Sequence, residues 1–357
     1  MGLEKQKVCL LETGGSHFEC METQIHFLKN DFHLTLLANA DKLSKATALI
    51  PNVDEVLTLP FPAKKSFTLS HSLKIAWLLK KHDFDYVLLN TAQGGIKWVC
   101  LFSIILGIKA RFLGVLHNVH KLKKGIGQMI ISQCVTHYFV FGEYLEKYTK
   151  TFSQKKISSF LPIFVQHKNL IDIQKPEDEF WVCIPGNIEF KRRDYLPLLD
   201  ALSAVKISAK VKFVLLGSTQ SSDAEILLEK INELNVRQHF ILFDTFVDHS
   251  VFNTFLSLCD CILPLLAENS PETKLYQTCK VSGSWLHVLT FHKPLFSNVI
   301  FSHIDDIQNR SIFYNNLKEL LEKHLQQPTP EMFSGLVTTD VKQDFDYQKQ
   351  LFLKYFK

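Results

Sequence analysis

Short apolar runs, each followed by a longer amphipathic stretch, recur along almost the whole chain and confine it to a small set of α/β folds. In the first half the runs are Val8–Leu11, Leu34–Ala38, Val56–Leu59, Tyr86–Leu89, Phe112–His117 and Tyr138–Phe141. Helical patterns lie between them, near 18–30, 70–81, 93–106, 122–134 and 143–152. The apolar runs do not alternate with polar residues. They read as strands buried on both faces, as in a parallel sheet covered by helices. The rhythm breaks at Pro162 and at the polar segment 174–179. It then resumes with Trp181–Ile184, Phe213–Leu216, Ile241–Phe243, Cys261–Leu263 and Pro294–Phe296, with helices near 194–206, 222–235, 249–258, 281–290 and 312–325. The spacing predicts two Rossmann-like domains, 1–172 and 173–335. A final helix in 336–357 carries Phe345, Phe352, Tyr355 and Phe356 and is expected to cross back onto the first domain.

A length of 357 residues suits two domains. Charge is uneven. Residues 1–175 hold 22 Lys/Arg against 13 Asp/Glu, and residues 176–357 hold 18 against 23. The basic half suits anionic partners such as phosphates or acidic lipid headgroups. It lacks aromatic-basic interleaving and a recognition helix, so nucleic acid is not expected. The eight cysteines are scattered through apolar runs without zinc spacing, as fits buried thiols in a reducing compartment. No signal peptide is expected ahead of the first strand, and the longest apolar stretch, Trp98 to Gly107, is too short to span a bilayer. The expected location is the cytoplasm, including its membrane face.

Ligands of parallel α/β sheets bind beyond the carboxyl ends of the strands, so the residues at those ends are the candidates. After the first strand come Gly14 and Gly15, then His17 and Glu19. The glycines allow a tight turn and close approach to a ligand, and a helix N-terminus follows. The loop is not G-x-G-x-x-G, which argues against a dinucleotide. His117 ends a buried strand, where it can act as a base or hold sugar hydroxyls. The second domain opens with Gly186-Asn187 and a run Lys191-Arg192-Arg193 entering a helix, suited to a diphosphate. Gly217 ends the next strand, and Phe246 follows the one after, where its ring could flank a base. Tyr276, Lys280 and Ser282-Gly283-Ser284 lead into an apolar helix, a second anion cradle made of small residues and unbonded N–H groups.

In order along the chain, these features resemble the GT-B glycosyltransferases of family 4 and their divergent polysaccharide and lipopolysaccharide relatives. The resemblance runs through the Gly-Gly loop, the strand-ending His117, Pro185-Gly186 with its basic cluster, Asp260-Cys-Ile-Leu-Pro264, and a helix followed by Lys293-Pro294. It implies two domains facing a cleft and transfer of a hexose from a nucleotide-sugar donor to a glycan or lipid-linked acceptor. The nucleotide sugar is a substrate, so no cofactor and no metal are expected. Alignment on Gly186 puts Arg192 at the family's diphosphate-binding Lys and Asn187 where an Arg is common. The family's Glu-x7-Glu pair is absent, with Cys279 and His287 at the two positions and a Tyr276…Ser282-Gly283 variant instead. The donor side is then Gly186, Asn187, Arg192, Arg193, Gly217, Phe246, Tyr276, Lys280 and Ser282–Ser284. Gly14, Gly15 and His17 form the acceptor side, and His117 and Glu19 are the catalytic candidates. Two other readings stay open. A sugar-nucleotide 2-epimerase would want an acidic pair, with Glu19, Glu268 and Glu272 as candidates, and a degenerate GT-B subunit would bind a partner without donor chemistry.

Overall fold

The structure, a computed structural model, describes residues 5–14, 17, 20–44, 47–123, 125–162, 170–336 and 344–356. The chain divides into two compact units, Met1–Val165 with Lys342–Lys357, and Gln166–Val341. The first is built on a seven-stranded sheet: β1 Lys7–Glu12, β2 His33–Asn39, β3 Glu55–Leu59, β4 Tyr86–Leu89, β5 Arg111–Val115, β6 Val135–Phe141 and β7 Ile157–Phe160. Its order is β3-β2-β1-β4-β5-β6-β7 and every pairing is parallel. Leu10, Leu36, Leu88 and Leu113 lie in the buried centre, as the unalternating apolar runs require.

β7 escaped the sequence reading because Ile157-Ser158-Ser159-Phe160 looks like a loop. It is an edge strand, and the Glu146 carboxylate accepts from both the Ser159 N–H (2.7 Å) and its hydroxyl (2.5 Å). Edge position and a local acceptor make the serines affordable there. The C-terminal helix Phe345–Leu353 packs on this same unit. Phe352 sits 4.6 Å from Phe139, 4.9 Å from Phe160 and 5.5 Å from Phe27, and Phe356 lies 5.5 Å from Phe32. Gln348 accepts from the Leu161 N–H at 2.8 Å, and Lys349 pairs with Asp31 at 2.8 Å beside these aromatic contacts.

The second unit has six parallel strands: β8 Phe180–Pro185, β9 Val211–Ser218, β10 Phe240–Phe243, β11 Cys261–Ile262, β12 Leu295–Asn298 and β13 Ser311–Tyr314. Their order, β10-β9-β8-β11-β12-β13, is that of a doubly wound sheet. In each sheet the direction of strand addition reverses beside the unit's first strand, between β1 and β4 and between β8 and β11. Here the predicted helix over 312–325 is corrected. Ser311–Tyr314 pairs with Leu295–Asn298 as a strand, and only Leu317–Leu320 and a wide turn at Leu321–Leu325 follow it. Asn316 caps that short helix by accepting from the Glu319 N–H, 2.9 Å away. A further helix, Pro271–Thr278, lies in what reads as a polar loop. Ser270 caps it and Pro271 occupies its first turn. All eight cysteines stand as thiols, seven of them buried.

Candidate functional site

Both polar centres lie at strand carboxyl ends beside the reversal points. In the second unit, β8 runs into Gly186, whose φ of +106° is closed to ordinary side chains. A Cβ there would stand 2.6 Å from Arg193 Nη2, and one at Gly217 would stand 2.5 Å from the Gly186 carbonyl. The two glycines therefore let the ends of β8 and β9 close on each other. Arg193 locks the arrangement by donating to the carbonyl of Asn187 (3.2 Å) and to those of Pro185 and Pro264. It thus ties the β8 loop to the segment after β11. An antiparallel bridge between Arg193 and Leu266 and the Asp194 N–H to Leu265 carbonyl bond (2.9 Å) continue the seam.

This seam frames a cavity of about 210 Å³. Gly186, Asn187 and Arg192 line one side. Tyr276 and the Ser282-Gly283-Ser284 start of the Gly283–Phe291 helix line the other. Ser282 has cap geometry, yet its side chain makes no cap hydrogen bond. The Gly283 and Ser284 amides likewise donate to nothing among the described residues. Gly283 is the more telling of the two. A Cβ there would meet no atom within 4 Å, and its φ is not positive. Neither packing nor backbone conformation demands a glycine, and the space before it is open. Unbonded N–H groups at a helix N-terminus, facing a cavity with a guanidinium beside it, are the arrangement that suits an anion.

Arg192 is half exposed, with Nε 3.2 Å from Glu189 Oε2, so a ligand would have to compete with that carboxylate. His287 also lines the cavity. Burial, reinforced by Arg193, lowers its pKa to about 4, so it is neutral near pH 7. Cys279 is fully buried and does not line the cavity. Of the other donor-side candidates, Gly217 stands behind the cavity wall as a packing glycine and Arg193 works mainly as a strap. Lys280 lies outside the lining, its N–H bonded to the Leu275 carbonyl at 2.9 Å. Phe246 is 73% exposed and also outside it.

In the first unit the centre is Glu12, the last residue of β1, which is 1% exposed. Its carboxylate accepts from Asn90 Nδ2 (2.6 Å), Thr91 Oγ1 (2.9 Å) and the Gly14 N–H. A Cβ on Gly14 would come within 2.8 Å of that carboxylate, which would have to shift to admit it. Asn90, just beyond β4, also donates to the His17 carbonyl at 2.9 Å and accepts from Gln24 at 2.6 Å. His117 Nε2 meets the Asn90 carbonyl at 2.8 Å. That carbonyl can only accept, so Nε2 carries the proton and Nδ1 keeps a lone pair. The His17 ring stacks on His117 with centroids 3.7 Å apart and planes 12° apart. Burial, then the charge of a protonated His17, pushes the His117 pKa down to about 3. Gly14, His17 and His117 are thus brought together, while Gly15 and Glu19 lie outside the described residues. The sequence reading missed Glu12, Asn90 and Gln24. A polar residue closing each buried run, in VCLLE and YVLLN, was the available signal for the first two.

No protein-family profile matches the chain, and no curated protein sequence matches it. Solved structures do. HepE of Anabaena, in complex with UDP, aligns with a TM-score of 0.69 at 11% identity over 98% of this chain and 99% of its own. A glycosyltransferase from Rickettsia africae aligns with a TM-score of 0.64 at 13% identity, over 99% and 95%. A putative UDP-N-acetylglucosamine 2-epimerase from Listeria monocytogenes aligns with a TM-score of 0.61 at 10% identity, over 98% and 91%. With its two parallel α/β domains, the chain has the GT-B fold.

Proposed function

We propose that the chain is a glycosyltransferase of the hexosyl type, near family 4, that uses a nucleoside-diphosphate sugar and glycosylates a glycan or lipid-linked acceptor in polysaccharide assembly. One observation carries this reading: the cavity where Arg192 and the unbonded amides of Gly283 and Ser284 surround a single space. HepE, a GT-B structure bound to UDP, supports the nucleotide part. In the reaction the bond between the sugar's anomeric carbon and the diphosphate oxygen breaks, and its electron pair stays on the leaving diphosphate. Arg192, the helix N-terminus and the field of Arg193 stabilise that charge, so no metal ion is required. The acceptor hydroxyl bonds to the anomeric carbon and gives up its proton. His117, neutral with a lone pair on Nδ1, and Glu19 are the proposed proton acceptors, and Gly14, Gly15 and His17 the proposed acceptor contacts.

Isothermal titration with UDP and GDP tests the reading. Saturable binding of one nucleotide, unchanged by EDTA and weakened about tenfold or more in Arg192→Ala, is expected. Binding of neither nucleotide would leave the degenerate subunit as the better description. The epimerase reading is favoured by the likeness to the Listeria structure and to a second UDP-N-acetylglucosamine 2-epimerase structure. Incubation with UDP-N-acetylglucosamine in the absence of acceptor separates it, because only an epimerase would release the 2-epimer.

A membrane face is part of the proposal. Three neighbouring helices of the first unit, Leu69–His82, Lys97–Ile105 and Ile126–Cys134, expose Trp77 (58%), Ile105 (67%), Ile126 (79%) and Met129 (64%). Lys74, Lys81, Lys97 and Lys123 belong to the same three helices or the turn before the last. Apolar side chains among lysines suit an anionic lipid surface. Among the described residues no helix is long and apolar enough to cross a membrane. Co-sedimentation with phosphatidylglycerol vesicles, lost in high salt, is the expected result, and no binding at low salt would overturn it.

A further inference from the structure

Leu266 lines the diphosphate cavity and also a second, larger groove of about 460 Å³ in the same unit. One wall is the helix Tyr195–Ala204, presenting Pro197, Ala201 and Ala204, and Leu317 stands among the facing residues. Three carboxylates line it: Asp194, Asp200 and Glu268. The single cation in the lining, Lys318, has its Nζ 3.8 Å from Glu322, one turn further along its own segment. The groove is therefore negative and not balanced from within.

Two deeply buried polar side chains also line it. Tyr314, 5% exposed, and Asn298, 8% exposed, end β13 and β12 and stand in register. Asn298 Oδ1 accepts from the Ile300 N–H at 3.0 Å, while its Nδ2 has no hydrogen bond among the described residues. Neither does the Tyr314 hydroxyl, which lines the groove. A ligand in the groove can supply the partner that the Tyr314 hydroxyl lacks. Burial, then the charges of Asp194 and Glu268, raise the Tyr314 phenol above its ordinary range, which keeps it a neutral hydroxyl. Burial also raises the Asp194 carboxyl, against the hydrogen bond that its Oδ2 accepts from the Glu268 N–H at 3.0 Å.

The chemistry that fits is a positive donor with an apolar stem. Among the described residues no group of His, Cys, Asp and Glu is arranged to hold a metal ion, which directs the choice to an organic cation. We propose that this groove binds an alkylammonium ligand, its N–H groups on Asp194, Glu268 and the Tyr314 hydroxyl and its carbon chain along Ala201, Ala204 and Leu317. The site is separate from the diphosphate cavity, and its existence does not depend on the glycosyltransferase reading.

Calorimetric titration of the full chain at physiological salt tests it, with 1,5-diaminopentane as the probe and 1,5-pentanediol as its uncharged counterpart. Saturable diamine binding is expected, with none for the diol. Asp194→Asn and Tyr314→Phe should each weaken it about fivefold or more, while Glu229→Gln, an exposed acid outside the groove, leaves it unchanged. Tyr314→Phe removes only a hydroxyl that holds nothing in the fold, so it reads the site even where Asp194→Asn disturbs the seam. Absence of saturable diamine binding, equal binding of the diol, or wild-type affinity in both variants would overturn the proposal.

Discussion

The two polar centres occupy equivalent places in their sheets and spend their hydrogen bonds in opposite ways. In the first unit Glu12, Asn90, Gln24 and His117 are bonded to one another, and the Glu12 carboxylate alone takes three donors, although Gln24 Oε1 is buried without a partner among the described residues. In the second unit the strap residue Arg193 is committed to backbone carbonyls, while Gly283, Ser284 and Arg192 face a cavity. The first centre is a network bonded within itself, whose loss should be felt in folding. The second holds donors in reserve, and its loss should be felt in ligand affinity.

The largest expected effect breaks that internal network. Glu12→Ala leaves the buried Asn90 and the half-buried Thr91 and Gly14 donors without their acceptor and should cost about 3 kcal/mol of stability in urea unfolding, with UDP affinity little changed in the folded fraction. Next comes Gly283→Val, which should weaken UDP binding about thirtyfold, roughly 2 kcal/mol, by filling the space before the helix N-terminus. A pH series sharpens the contrast further. His117 titrates at about 3 in the folded chain against an ordinary 6.5, so the folded state binds fewer protons between these values. Stability should be full above pH 6.5 and fall as pH drops through that window, by up to about 1.4 kcal/mol per unit for this residue. His117→Asn should flatten the slope by one proton's worth in urea titrations at pH 7, 6 and 5. The smallest effect is a gain: Glu189→Gln releases Arg192 from its carboxylate neighbour and should tighten UDP binding about threefold.

Much of this was legible in the sequence. Apolar runs without alternation reported parallel strands, and β1 through β6 and β8 through β12 fall where they predict. The C-terminal aromatics that needed a surface found it on Phe27, Phe139 and Phe160. What stayed hidden depended on partners distant in the chain. β7 reads as a loop until Glu146 supplies its acceptor, and β13 reads as helix until β12 lies beside it. The helix at Pro271–Thr278 is a different case, since Ser270-Pro271-Glu272 is a helix start that local reading could have found. In the candidate site, residue type and position brought Gly186, Arg192 and Ser282–Ser284 to one cavity, but not their division of labour. That Arg193 is a strap and Gly217 a packing glycine follows only from the close approach of β8, β9 and the segment after β11.

The most direct test measures UDP affinity and thermal unfolding together on the wild-type chain and on Gly283→Val. Because a Cβ at Gly283 would meet no atom within 4 Å, unchanged unfolding with strongly reduced UDP binding is the predicted result. A variant that binds UDP as tightly as the wild type would contradict the assignment of this helix start to the donor diphosphate.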